Sequence, residues 1–384
     1  MKILMILDHE FPPDIRVENE IASLHNAGHE VHVACYTRKG RDPLEEKSDC
    51  IIHRRKISTF IYKSSVACLK LPFYFLFWRN FVKEILSCYS FDAVHVHDLP
   101  LAQIGYEVKV QYGVKFILDL HENWPDYLKN ATHANTFLGK LLSSYKQWKR
   151  YEKNLCDQAD SVIVVIDEAK ERLVKNGIRA ESISVVSNTL NLTSFTQHKF
   201  TPDKEYFTLF YAGGIDFQRG LQTVIQAFKG LHHKKIRLWI FGDGKYGSVL
   251  KKLVDKYKVE EMVTFWGFMP FKEMTNYMLQ ADAAIIPHLK NDFTDTTIPH
   301  KLFQYMFAGL PVLSSDCLPL KRIIEETKAG SIFPGGDPHS LAKLIERLYE
   351  ERNRNTFDPE ISRSWVLKKY NWEMEAVKLL NIYA

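Results

Sequence analysis

No run of apolar residues in this 384-residue sequence is long enough to cross a bilayer. The longest, LPFYFLFW at 71–78, falls far short of the roughly 20 residues that a spanning helix needs. The opening MKILMILDHE stops being apolar at Asp8, too early for the core of an export signal, and reads as a first buried strand. Cysteine is scarce: six residues, at 35, 50, 68, 88, 156 and 317, none in a C-x-x-C pair. A chain of this length needs no covalent staples, so the reading is free thiols in a reducing, cytoplasmic compartment. There is no dense basic tract, and a formal net charge of +5 does not imply a nucleic acid partner. Catalytic signatures are missing as well. IFGDGKYGSVL at 240–250 is not a G-x-G-x-x-G fingerprint with a distant acidic partner, which weakens a nicotinamide reading. No H-E-x-x-H supports zinc and no G-x-S-x-G supports a serine hydrolase.

What is present is ordinary globular material, 46% apolar and 25% charged. The length suits two domains of roughly 150 to 200 residues each. Short apolar runs such as KILMILD, EVHVACY, DAVHVHD, VKFILDL and DSVIVVI alternate with helical stretches such as 15–28 and 134–157. Gly28 closes the first of these as a C-cap. After a polar, proline-containing stretch at 189–206 the rhythm restarts with FTLFYAGG, IRLWIFGDG, MVTFWGF, ADAAIIP, LPVLSSD and AGSIFPGG. This β-α-β alternation predicts two doubly wound α/β domains, 1–195 and 205–365, with the helical segment 366–384 packing back on the first. In such sheets ligands bind beyond the carboxyl ends of the strands, and two domains facing one another would make a cleft.

Three stretches carry candidate chemistry. In FYAGGIDFQRG an apolar strand ends in Gly213-Gly214, and Arg219 follows near a helix start, a combination suited to phosphate. A plain strand–helix turn with a surface arginine accounts for it equally well. The turn at Gly242 is similar and less specific. In TTIPHKLFQYMFAGLPVLSSD, Thr296, Thr297 and Ile298 precede a helix that carries Lys301 in its first turn and Gln304 one turn on. A lysine there opposes the helix dipole and makes more sense beside an anion. In the first half, VHVHD and LDLHENWPD place polar residues at strand ends. His95 reads as a packed core residue; His121, followed by Glu122, stands where chemistry would be.

These stretches, in their order and spacing, resemble the retaining nucleotide-sugar glycosyltransferases of family 4, which have the GT-B fold, over essentially the whole chain. FPPDIRVENEIASLHNAGHEVHV is similar to the family's first loop and helix, and DLHEN to its donor-facing histidine segment. VVSNTLNLTSF resembles the segment closing the first domain, AGGIDFQRG the diphosphate-binding turn, and 296–316 the E-x7-E helix. The resemblance implies a diphosphate-binding role for Arg219, contact of His121 with the transferred sugar, and a ribose-binding position at Gln304. It puts Gly213, Gly214, Gly242, Thr297 and Ile298 on the donor side. Pro13, Arg16 and Glu122 fall on the acceptor side, where Arg16 could serve an anionic acceptor. The sequence departs from the family where Gly214 replaces an arginine and where Thr296 and Gln304 replace both E-x7-E carboxylates. Lys301 is expected to supply part of the lost positive charge.

The activity so implied is retaining, metal-independent transfer of a sugar from a UDP- or GDP-sugar to a glycan or lipid-linked acceptor, in cell-surface polysaccharide or glycoconjugate synthesis. No cofactor is expected. A sugar-nucleotide epimerase of the same fold and a non-catalytic nucleotide-sugar-binding protein are the alternatives. Residues 50–83 hold seven Lys or Arg and no acidic residue among many aromatics. That composition suits a helix on the anionic inner face of the plasma membrane, or equally a crossover helix with an apolar core face.

Overall fold

The computed structural model describes residues 1–130, 143–195, 205–352 and 356–384. The chain separates into two compact units, one of Met1–Ser187 with Glu375–Ala384 and the other of Asn188–Met374. The sequence reading places these boundaries at 195 and 205 and returns 366–384 to the first unit; the packing returns only Glu375–Ala384.

Unit 1 is built on β1 (Lys2–Leu7), β2 (Glu30–Thr37), β3 (Leu44–Glu46), β4 (Ile51–Lys56), β5 (Ala93–His97), β6 (Lys115–Leu120), β7 (Ser161–Val164) and β8 (Ile183–Val185). Their spatial order is β3-β4-β2-β1-β5-β6-β7-β8, with only β3 antiparallel. Ile3 to Leu7 have no exposure at all, as a parallel strand covered by helices on both faces requires. Each such side chain contributes roughly 1.5–3 kcal/mol of burial. The helix Ile15–Asn26 starts where the Asp14 carboxylate accepts the Val17 N–H, and Gly28 beyond its end adopts φ 83°. Residues 134–142 of the second expected helix lie outside the described residues; the helix that is described there runs Tyr145–Gln158.

The segment 50–83 is not one helix. It opens with strand β4, paired in parallel with β2, passes through a short helix at Thr59–Ser64, and ends in Phe73–Cys88. That last helix turns Tyr74, Phe75, Trp78, Phe81, Val82 and Ile85 into the core. Arg54 is absorbed too: its guanidinium donates to the Phe11 carbonyl and pairs with Glu45. Phe60, Leu71, Phe73 and Leu76 remain exposed.

Unit 2 holds β9 (Phe207–Ala212), β10 (Ile236–Phe241), β11 (Val263–Gly267), β12 (Ala283–Ile286), β13 (Val312–Ser315) and β14 (Gly330–Phe333), ordered β11-β10-β9-β12-β13-β14 and parallel throughout. In both sheets the strand order reverses around the first strand, β1 in one and β9 in the other. A doubly wound sheet opens for a ligand at that reversal. The helix Lys301–Ala308 ends at Gly309, whose φ of 76° lets its N–H reach the Met306 and Tyr305 carbonyls.

Candidate active site

In unit 2, the carboxyl end of β9 runs into Gly213 and Gly214. Gly213 adopts φ 138°, and a Cβ there would stand 2.5 Å from the Lys301 Nζ. Gly242, after β10, would drive a Cβ to 2.1 Å from the Gly213 carbonyl oxygen. Both turns therefore need glycine for backbone and space at once. The Tyr211 hydroxyl donates to the Gly214 carbonyl at 2.7 Å, and the Tyr305 hydroxyl accepts the Ala212 N–H at 2.9 Å. These two phenols fix the strand end from below.

Two cations face this turn. Lys301 is half-buried, but its Nζ is enclosed, 3.9 Å from the centre of the Tyr211 ring and without a hydrogen-bond partner among the described residues. Burial, and then the charge of Arg219, push its ammonium well below the ordinary lysine range. Arg219, at the end of a single turn Phe217–Arg219, has its Nη1 3.4 Å from His288 Nε2. Burial and the same two cations hold His288 well below the ordinary histidine range, so it is a neutral acceptor for Arg219. Neither cation has a carboxylate at ion-pair distance among the described residues. Two neighbouring cations, one desolvated, with no counter-ion make a preformed anion site.

The other expected donor-side residues behave differently from one another. Gln304 is buried and its amide donates to His300 Nδ1 at 2.9 Å; burial lowers that histidine to about 4, so it accepts as a neutral ring. The amide oxygen of Gln304 keeps its acceptor capacity. Thr296 donates its hydroxyl proton to the Asp292 carbonyl at 2.8 Å within its own turn, which ties it down locally where the resemblance puts a sugar-facing group. Ile298 is buried, so its side chain is core rather than lining. Thr297 adopts extended backbone just after that turn.

In unit 1 the polar residues at the ends of β5 and β6 assemble around His121. Period two puts His95 and His97 on one face of β5, and Asp119, in register with His97, on the same side of β6. The helix Ile15–Asn26 lays Arg16 and Glu20 over them, one turn apart. Arg16 donates to Asp119 from Nε at 3.1 Å and from Nη2 at 2.8 Å, and from Nη1 to the Val186 carbonyl at 2.9 Å. The acceptor-side role expected of Arg16 is therefore corrected. The residue is buried and its donors are committed inside the unit. Pro13, by contrast, is exposed, and Glu122 is partly so.

His121 Nδ1 stands 3.7 Å from Asp98 Oδ2, and Nε2 lies 3.0 Å from His97 Nδ1 and 3.4 Å from Asp119 Oδ2. Burial opposes its charge, but Asp98 and Asp119 outweigh that and push its pKa up to about 10, so it is an imidazolium at neutral pH. Asp119 is held well below the ordinary carboxylate range because Arg16 and His121 outweigh its burial. Asp98 adopts φ 67° and ψ 153°, a region all but reserved for glycine, and its N–H donates to the Asp119 carbonyl at 2.7 Å. Strain of that kind in a non-glycine residue concentrates at functional sites.

Asp98, His97, Asp119, Glu20 and His288 were not among the expected site residues. For the first four the signal was in the sequence: VHVHD and LDLHE read with period two, and Arg16-x-x-x-Glu20 read as one helical face. Glu20, His95, His97 and Asp119 also offer four ligand atoms within 4.8 Å of one another. The Arg16 guanidinium already occupies these carboxylates, reaching Glu20 Oε1 at 3.1 Å as well as Asp119. A second, divalent cation would sit directly against it, so the donor set fits a metal poorly.

Residues 15–194 match the model of Glycosyltransferase Family 4, and residues 194–360 that of Glycosyl transferases group 1. The chain is 23% identical over 250 residues to the putative colanic acid biosynthesis glycosyltransferase WcaL of Escherichia coli (strain K12). That alignment covers 64% of this chain and spans 61% of the relative's own length. Among solved structures, sucrose-phosphate synthase from Thermosynechococcus elongatus superposes with a TM-score of 0.80 at 18% identity, covering 100% of this chain and 98% of that one. Anabaena HepE in complex with UDP gives 0.73 at 13% identity, covering 100% and 99%. At these identities the likeness shows the fold, GT-B.

Proposed function

The chain belongs to the family 4 glycosyltransferases, and from that premise we propose that it transfers a sugar from a nucleoside diphosphate sugar to a glycan or lipid-linked acceptor. One observation carries this reading: Arg219 and Lys301 flank a glycine-only turn with no carboxylate at ion-pair distance among the described residues. A diphosphate supplies the missing negative charge. As the glycosidic bond to the donor breaks, charge grows on the leaving diphosphate, and two preorganised cations stabilise it most at that moment. The anomeric configuration is retained, and the diphosphate itself accepts the acceptor's proton, so neither a side-chain nucleophile nor a metal is required. His121, already an imidazolium, acts as a hydrogen-bond donor to the reacting sugar. Gln304 offers a neutral acceptor for a ribose diol.

Relatives such as the colanic acid transferase support a product in cell-surface polysaccharide. The acceptor face of unit 1 favours a neutral, hydroxyl-rich molecule, since Asp98 and Glu122 stand there and Arg16 is withdrawn. For a lipid-linked acceptor, the exposed Phe60, Leu71, Phe73 and Leu76 lie on the basic segment 50–83, beside a hollow of about 490 Å³ lined in part by Lys70, Arg79 and Arg150. That surface would rest on an anionic membrane. Among the described residues no helix is long and apolar enough to cross one.

The test is thermal-shift screening of the purified protein against UDP, GDP, ADP and their sugar conjugates, followed by product analysis with and without EDTA. Transfer with retained configuration, undiminished by EDTA, is expected. Binding without transfer or hydrolysis of any donor identifies a binding protein, and a donor converted to its epimer identifies an epimerase. Flotation with anionic and neutral liposomes tests the membrane surface; equal, negligible binding to both removes it.

A further inference from the structure

Behind His121 lies a set of buried polar side chains that the transfer step does not use. An imidazolium carries a proton on each ring nitrogen, so His121 Nε2–H donates, and its nearest acceptor is His97 Nδ1 at 3.0 Å. Asp119 Oδ2, at 3.4 Å, is the longer alternative. Accepting there fixes His97 as the tautomer protonated on Nε2. That second nitrogen is buried and points at Glu20 Oε2, 3.9 Å away. Beyond it His95 stacks on His97 with ring centroids 4.3 Å apart, and the Tyr383 hydroxyl closes the row at 2.6 Å from His95 Nδ1.

The charge count explains why this row holds a proton. Asp98, Asp119 and Glu20 carry three negative charges if all ionise, against the two positive charges of Arg16 and His121. Burial, opposed by Arg16 and reinforced by Asp119, pushes Glu20 well above the ordinary carboxylate range. With Glu20 protonated the buried sum is zero, and both histidines can stay neutral. Among the described residues His121 Nδ1, in contrast, has no committed acceptor, because Asp98 Oδ2 at 3.7 Å is beyond hydrogen-bond reach.

We propose that His97 is a positioning residue: by accepting the Nε2 proton of His121 it fixes that ring's orientation and leaves Nδ1–H, beside Asp98, as the proton offered to the reacting sugar. The proposal rests on the transferase reading for its consequence in turnover, but not for its geometry. Two measurements therefore separate the two.

The first is ¹⁵N NMR of the histidine rings in the full-length wild-type protein. His97 is expected as the Nε2–H tautomer and His121 as a doubly protonated ring. A His97 protonated on Nδ1 overturns the proposal without any variant, whatever the protein's activity. The second compares His97→Phe, which keeps the flat ring and removes the acceptor, with His97→Gln, whose amide oxygen restores it. His97→Phe is expected to lower kcat about tenfold or more while donor KM stays within about twofold. His97→Gln should recover most of the loss, and His121 resonances should move only in the phenylalanine variant. Unchanged kcat and unchanged His121 resonances in His97→Phe overturn the proposal. So does one equivalent of bound metal in the wild-type protein that His97→Phe removes, because His97 would then be a ligand.

Discussion

Both units place polar groups at the carboxyl ends of their strands, yet they handle charge in opposite ways. In unit 1 the buried arginine lies against two carboxylates, and His121 sits between Asp98 and Asp119. In unit 2 the enclosed Lys301 Nζ has no hydrogen-bond partner among the described residues, and Arg219 leans on a neutral histidine. A site that contains its own counter-ions is complete before any ligand arrives. Its residues are set for orientation and proton placement. A site that lacks them is waiting for an anion, and the free protein bears the cost of that vacancy in stability. The difference separates stability from affinity in one unit and joins them in the other.

The sharpest way to break the contrast is Asp119→Ala. It leaves Arg16 buried and half-paired, and removal of one partner of a buried pair costs about 3–5 kcal/mol. Urea unfolding should show a loss of that order, partly recovered in the double variant Arg16→Met/Asp119→Leu. Wild-type stability in the single variant would mean that the pair is not structural.

Arg219→Ala is the counterpart in unit 2. Turnover should fall about a hundredfold, equivalent to roughly 3 kcal/mol of barrier. The melting temperature should stay level or rise, since a like charge near Lys301 has gone. Transfer at close to the wild-type rate would take Arg219 out of the mechanism.

A finer test uses proton uptake. Lys301 titrates well below its ordinary range in the free protein, and a diphosphate raises it again. Donor binding should therefore raise the protonated fraction of Lys301, and affinity should weaken as pH rises through its lowered range. Calorimetry in buffers of different ionisation enthalpy reads the uptake directly. In Lys301→Met the uptake should vanish, with weaker nucleotide binding and a higher melting temperature.

The smallest effect belongs to His121. Its folded pKa of about 10 exceeds the ordinary 6.5. The stabilisation it contributes is complete below pH 6.5 and is lost as pH climbs towards 10. Wild-type melting temperature should decline over that window by a few degrees more than that of His121→Gln. Parallel declines would show that the imidazole is not held charged.

Much of this was legible in the sequence, and the misses have physical reasons. The eleven strand runs quoted from the sequence all became strands, because alternation of apolar and amphipathic segments is a local signal. Gly28 was recognisable as a helix stop for the same reason. β4 was missed because Arg54, Arg55 and Lys56 look like surface, whereas Arg54 is buried by the Phe11 carbonyl and Glu45. The fate of Arg16 depends on Asp119, 103 positions further on, and no local pattern encodes that distance. Thr296 could be placed by resemblance, but only its own turn reveals that the hydroxyl is spent on Asp292.

The return of Glu375–Ala384 to unit 1 has a consequence for biosynthesis. A ribosome delivers these residues only after every residue of the second unit. Until they emerge, the Ser187 N–H lacks the Glu375 carboxylate and His95 lacks the Tyr383 hydroxyl. The nascent first unit is thus held one element short of its finished interior for as long as the second is being made. A chain cut short before residue 375 carries that gap permanently, which gives the cell's proteases a mark by which to find it.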